Sequence, residues 1–198
     1  MKSDAILAEI NASISVKQKI LKDAALVHVI QRVAEECMEA YRRGNRVLLA
    51  GNGGSAADAQ HIAAEFVSRY AFDRPGLAAI ALTTDTSMLT AIGNDYGYEH
   101  IFRRQLEANG RQGDVFIGIS TSGNSPNVLA ALQRARELGI VAVGLTGEGG
   151  VKMESCCDYC IKVPSLSTPR IQESHIMLGH IICGIVEAKL FDERNSGG

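Results

Sequence analysis

From Arg46 onward the 198-residue chain alternates short apolar runs with helical stretches, and that alternation leaves few folds open. The runs are Val47 to Ala50, Leu77 to Leu82, Val115 to Ile119, Val141 to Leu145 and Tyr159 to Val163. Strands that are apolar along nearly their whole length are buried on both faces, as in parallel sheets covered by helices. Parallel neighbours need right-handed crossovers, so the expected fold is α/β: a three-layer, doubly wound, five-stranded parallel sheet. In such folds ligands collect beyond the carboxyl ends of the strands. Three polar segments stand there: Gly51 to Ser55, Thr83-Thr84-Asp85, and Ser120 to Asn127.

Two helical patterns precede the first run. Leu7, Ile10 and Ile14 mark one; Leu26, Ile30, Val33, Cys37 and Tyr41 mark the other, with Gly44 as its stop. Their apolar stripes must either fold back onto the sheet or meet another subunit, and the second outcome is expected. The chain is therefore expected to be a single domain over residues 1–198, with 1–44 a helical oligomerisation extension, a size suited to one sizeable core. A net charge of -2 without basic clusters offers no footprint for nucleic acid, and no apolar run is expected to span a bilayer. Met1 to Asp4 opens no signal-peptide core, and five cysteines, an odd number, form no secreted disulfide framework, which points to the cytoplasm. Cys157-Asp158-Tyr159-Cys160 lacks the second ligand pair of a structural zinc site and is expected to be structural; Asn195 to Gly198 should be a frayed tail.

The first polar segment, Gly51-Asn52-Gly53-Gly54-Ser55, lets backbone N–H groups approach an anion without Cβ interference, and a helix opening at Ser55 adds its unpaired N–H groups and dipole. This is a phosphate site in outline. His61 and Glu65 follow on one helix face, so recognition and chemistry could share an element. A structural alternative exists, because Ser55-x-x-Asp58 also matches a capping box with Asp replacing Glu, and His61 with Glu65 could be an ordinary exposed pair. Gly51, Gly53 and Ala56 also match the loose dinucleotide pattern, but Asp73 precedes the second strand and Asp85 lies too far along to bind its ribose.

The third segment, Ser120-Thr121-Ser122-Gly123-Asn124-Ser125-Pro126-Asn127, runs into a helix with Ser125 as N-cap and Pro126 as first helical residue. Capping needs one hydroxyl; Ser120, Thr121, Ser122 and Ser125 together could surround phosphate oxygens with neutral donors. A serine-hydrolase elbow is excluded, since Ser122 stands where the motif needs glycine.

These residues carry a family resemblance. Ser120 to Ser125 resembles the phosphosugar-binding signature of sugar isomerase (SIS) domains, and Gly51 to Ser55 with Asp58, His61 and Glu65 resembles the bacterial phosphoheptose isomerases. The likeness continues through Gly93-Asn94-Asp95-Tyr96-Gly97, Gly113-Asp114-Val115 and Arg170 to His175, ending at His180, and so covers nearly the whole chain. It implies a flavodoxin-like SIS fold and an aldose-ketose isomerase converting sedoheptulose 7-phosphate to D-glycero-D-manno-heptose 7-phosphate, in a homotetramer with one zinc ion per subunit. It places Asn52, Gly53, Gly54, Ser55, Glu65, Asn94, Asp95, Ser120, Thr121, Ser122, Ser125 and Gln172 against substrate. His61, Glu65, Gln172 and His180 become metal ligands. Glu65 and His180 become the acid-base pair for proton transfer through an enediol, a task suited to a carboxylate and to imidazole, which titrates near pH 6.5. The segment 93–97 could equally be a turn. Gln172 and His180 stand eight residues apart, about 12 Å of straight helix, so joining one ion would take long side chains leaning together or two subunits. A non-catalytic SIS-family binding protein of the replication-initiator-associating type, and an isomerase of another phosphosugar, are the alternatives; Glu65 and His180 speak against the first.

Overall fold

The computed structural model describes residues 2–191, and the Asn195 to Gly198 tail lies outside the described residues. Two helices open the chain, α1 (Lys2–Lys22) and α2 (Ala24–Arg42). Asp23 separates them: its carboxylate accepts the Leu26 N–H at 2.9 Å, satisfying one of the open donors at the start of α2. Gly44, with φ of 76°, then turns the chain into the sheet.

The remaining elements follow in order: β1 (Val47–Gly51), α3 (Gly54–Val67), β2 (Ala79–Ala81), α4 (Thr86–Tyr96), a 3-10 turn (Tyr98–His100), α5 (Ile101–Asn109), β3 (Val115–Ile119), α6 (Pro126–Glu137), β4 (Val141–Gly147), α7 (Val151–Cys156), β5 (Tyr159–Val163) and α8 (Thr168–Phe191). All five strands are parallel, in the order β2-β1-β3-β4-β5. The expected doubly wound sheet is thus the observed one. The second strand is shorter than its apolar run, Leu77 to Leu82. It lies at the sheet edge, paired only with β1, and a short edge strand offers little template for unwanted pairing.

Alternation along each strand divides the interior into two cores. Val47 and Leu49 face α2, α3 and α8, whereas Leu48 and Ala50 face α5, α6 and α7. Every residue of β1 and of β3 is buried, which is why these runs read as continuously apolar.

The helical extension behaves in two ways. The stripe of α2 folds back: Leu26, Ile30, Val33 and Cys37 are buried in the same core as β3, β5 and α8, the first of the two outcomes open to it. Among the described side chains of α1 only Val16 and Ile20 are buried, while Leu7, Ile10 and Ile14 stay exposed. Helix α8, 24 residues long with an 18-residue stretch of mean hydropathy 1.3, is long and apolar enough to cross a membrane by length and composition alone. Its apolarity has another use here, since Ile171, Leu178, Ile182 and Val186 fill the core between α2 and α3.

Candidate active site

The chain winds from β1 outward to β2 on one side and from β3 through β4 to β5 on the other, so the winding reverses between β1 and β3. Crevices at such a switch point receive ligands. The last register pair, Gly51 with Ile119, sets the glycine loop beside the serine loop at this place.

Within the glycine loop, Gly53 adopts φ of 56° and serves as N-cap of α3 without any side-chain cap. The capping box at Ser55 therefore does not form; Ser55 is buried inside the first turn, its N–H on the Asn52 carbonyl at 3.0 Å. A left-handed glycine at the N-cap leaves the helix start open for a ligand. At Gly54 a Cβ would overlap the Gln172 side-chain amide, so glycine is what lets α8 lay that amide over the start of α3.

The serine loop is held from behind. Ser120 N–H bonds the Leu145 carbonyl at 3.0 Å, Gly147 N–H bonds the Thr121 carbonyl at 3.1 Å, and Gly123, with φ of 65°, packs against Thr146 and Gly150 where no side chain would fit. Ser120 Oγ lies 2.9 Å from Ser125 Oγ and 3.5 Å from Ser122 Oγ, so three hydroxyls face one another. Ser125 occupies the N-cap of α6 as expected, but its hydroxyl makes no cap bond. The adjoining His175 on α8 is buried beneath this loop and reaches the Thr146 carbonyl through Nε2 at 3.2 Å. Burial pushes its imidazole down to about 4, against the pull of that carbonyl.

Two residues outside the expected set join the loops. Asn127 exchanges paired amide bonds of 2.9 Å with Asn52, and Tyr98 donates its hydroxyl to Asn52 Oδ1 at 3.0 Å. Asn127 is buried at the helix start, a polar residue where α6 would otherwise turn an apolar face inward; only that oddity marked it in the sequence. The segment at Asn94 and Asp95 is not a free turn. It forms the last turn of α4, ended by Gly97 at φ of 92°, and the Asn94 amide bonds the Asp95 carboxylate at 2.8 Å on the exposed surface. Asp85 caps α4 through the Met88 N–H at 2.8 Å, which accounts for the remaining polar segment.

Farther along α3 the side chains change character. His61 Nε2 lies 2.9 Å from His180 Nε2 and 3.3 Å from Glu65 Oε1, and ligand atoms of all three lie within 4.8 Å of one another. Two donors on a tetrahedral ion with bonds near 2 Å stand about 3.3 Å apart, so this cluster could hold a divalent ion. Helix α8 supplies His180 because α3 and α8 run side by side in the same direction: Gln172 meets Gly54, Gly179 meets Ile62 and His180 meets His61. Gln172 is accordingly about 10 Å of helix rise away from His61, at the other end of the shared face. Asp58, one turn before His61, is pushed up to about 6 by burial, with His61 opposing.

Comparison with known proteins now decides the family. The SIS domain model matches residues 11–147. A phosphoheptose isomerase of Aneurinibacillus thermoaerophilus is 66% identical over 96% of this chain and 96% of its own length. The chain belongs to the phosphoheptose isomerases. A second relative, phosphoheptose isomerase 2 of Campylobacter jejuni, is 65% identical over 90% of this chain and 89% of its own. The solved phosphoheptose isomerase GmhA from Neisseria gonorrhoeae superposes with a TM-score of 0.89 at 44% identity, covering 95% of this chain and all of that one. As a phosphoheptose isomerase the chain is an isomerase enzyme acting on a heptose phosphate, with a phosphosugar as its substrate.

Proposed function

We propose that the chain interconverts sedoheptulose 7-phosphate and D-glycero-D-manno-heptose 7-phosphate through an enediol, serving bacterial heptose biosynthesis as a cytoplasmic homotetramer with one zinc ion per subunit. One observation carries this reading. Helix α3 opens on a neutral anion loop and bears His61 and Glu65 two and three turns later, so a single rigid element fixes the distance from phosphate anchor to proton-transfer groups. In this reading Asn52, Gly53, Gly54, Ser55, Ser120, Thr121, Ser122 and Ser125 hold the phosphate, and Asn94, Asp95 and Gln172 hold sugar hydroxyls.

His61, Glu65 and His180 would hold the zinc ion, and Gln172, about 10 Å of helix rise away, would join them from a neighbouring subunit. Bound there, zinc would supply Lewis-acid polarisation of the sugar carbonyl. Glu65 takes a proton from the carbon beside the carbonyl; the electron pair becomes the new carbon–carbon double bond. His180 moves the proton between the two oxygens, and Glu65 returns its proton to the neighbouring carbon, so the aldose forms with no net gain or loss. Because a lone pair given to an ion cannot also take a proton, Glu65 and His180 would act with coordination loosened or with substrate in the ion's place.

Purified protein incubated with sedoheptulose 7-phosphate should yield the aldose, followed by reducing-sugar assay or NMR. Glu65→Gln and His180→Gln should each lower kcat by roughly 100-fold or more with substrate binding mostly kept, the usual scale for losing a general acid or base. Turnover of a different phosphosugar and none of this one would overturn the substrate assignment.

A further inference from the structure

Glu187 is 1% exposed, seven residues beyond His180 on α8, in a position where an unpaired carboxylate would be untenable. It accepts the backbone N–H groups of Tyr70 at 2.8 Å, Ala71 at 2.6 Å and Phe72 at 3.3 Å, and the Arg74 Nε at 3.0 Å. Arg74 in turn donates to the Glu65 carbonyl at 2.8 Å and the Phe66 carbonyl at 2.6 Å, which are among the open acceptors at the end of α3. A continuous chain of charge-assisted bonds therefore runs from the end of α3, through Arg74, to Glu187 on α8. The same carboxylate draws the Tyr70 backbone inward, and the Tyr70 ring lies 5.8 Å from the His180 ring, in space that Gly184 leaves open.

We propose that Glu187 and Arg74 are positioning residues that lock the sliding register of α3 against α8 and thereby bring His180 to His61 and Glu65. The physical case is geometric. The three donors of the cluster come from two helices, and packed helices can ratchet past one another by as much as a turn. A one-turn slip of about 5.4 Å would carry His180 Nε2 from 2.9 Å to about 6 Å from His61 Nε2, beyond the roughly 4 Å that two bonds to one ion can span. Apolar packing is non-directional, whereas a carboxylate receiving three successive backbone N–H groups and one guanidinium has a single matching position. Burial raises the Glu187 carboxyl and the bonds from Tyr70, Ala71, Phe72 and Arg74 overcome it, leaving it below the usual carboxylate range and charged.

This inference rests on the cluster being an ion site, and the experiment separates the two. Zn²⁺ affinity of chelator-stripped protein is measured by competition with a chromophoric chelator for the wild type, Glu187→Gln and Arg74→Lys, alongside circular dichroism melts and full kinetics. A wild type without tight binding overturns the ion site itself. If the wild type binds, both variants should bind Zn²⁺ at least 10-fold more weakly, the usual scale for outer residues that orient ligands, and lose kcat with KM within about twofold. A purely structural pair would instead lower the melting temperature and leave ion affinity and kcat of the folded protein unchanged, which would sink the proposal. Should Glu187→Gln fail to fold, Arg74→Lys carries the test, because it keeps the buried charge and loses the guanidinium's Nε bond to Glu187 and its several carbonyl bonds. In the wild type, Zn²⁺ should also slow hydrogen exchange of the Tyr70, Ala71 and Phe72 amides, since coupling is reciprocal; unchanged exchange counts against the clamp.

Discussion

Ser125 sits at a helix N-cap, the position where a serine hydroxyl ordinarily serves the helix, yet it turns to Ser120. The Val128 N–H at the start of α6 is met otherwise, by Asn127 Oδ1 at 3.0 Å, so the Ser125 hydroxyl is left for a ligand. Replacing Ser120, Ser122 and Ser125 together by Ala should abolish binding of a phosphorylated sugar in calorimetric titration while the circular dichroism spectrum persists; unchanged affinity would remove the loop from the site. His175 makes a second residue-level prediction. Its folded pKa of about 4 lies below the ordinary 6.5, so the unfolded chain binds the extra proton first. Its contribution is full above about pH 6.5, declines as pH falls toward 4, and amounts to on the order of 3 kcal/mol. Urea melts of His175→Gln, which keeps a donor for the Thr146 carbonyl, should show a visibly flatter stability profile across that window than the wild type. Equal slopes would mean another group titrates.

Among elements, the pairing of α3 with α8 organises the site. Gly54→Ala tests it directly, because the new methyl meets only the far end of the flexible Gln172 chain and the helices can stay in place. The melting temperature should hold within a few degrees, while KM rises by about 10-fold, or roughly 1.4 kcal/mol, as the amide is expelled from the loop. Wild-type kinetics would show that the Gln172 amide has no part in binding. The sequence showed less here than for the sheet. Strands could be located because burial on both faces writes a continuous apolar run, as at Val115 to Ile119. The start of α3 was ambiguous because Ser55-x-x-Asp58 fits a cap as well as a ligand loop, and only the left-handed Gly53 separates the two. Helix neighbours leave no periodic signature at all. The eight-residue spacing of Gln172 and His180 did foretell that they would stand apart, but not that α3 would match it with Gly54 and His61.

For the molecule as a whole, the exposed face of α1 is the open question that the fold poses. Leu7, Ile10 and Ile14 lie along it, continuous with a groove of about 730 Å³ lined by Leu21, Val27, Ile181 and Ile185. A second copy is the occupant that suits the homotetramer proposed above, and Leu7→Lys with Ile10→Glu should shift the mass in light scattering from tetramer toward smaller species with the fold retained. A tetramer that survives both changes would place the contact elsewhere. The parallel course of α3 and α8 has a further consequence at this scale. Two helices aligned side by side put like ends of their dipoles together, so their first turns form a positive corner that the neutral loops Gly51 to Ser55 and Ser120 to Ser125 do nothing to discharge. At the far end of α3, Arg74 bonds the last carbonyls; the near ends present their N–H groups to the switch-point crevice. Inorganic phosphate alone should therefore raise the melting temperature, and because partial charges on fixed N–H groups replace mobile lysines, that protection should fade only slowly as sodium chloride is added.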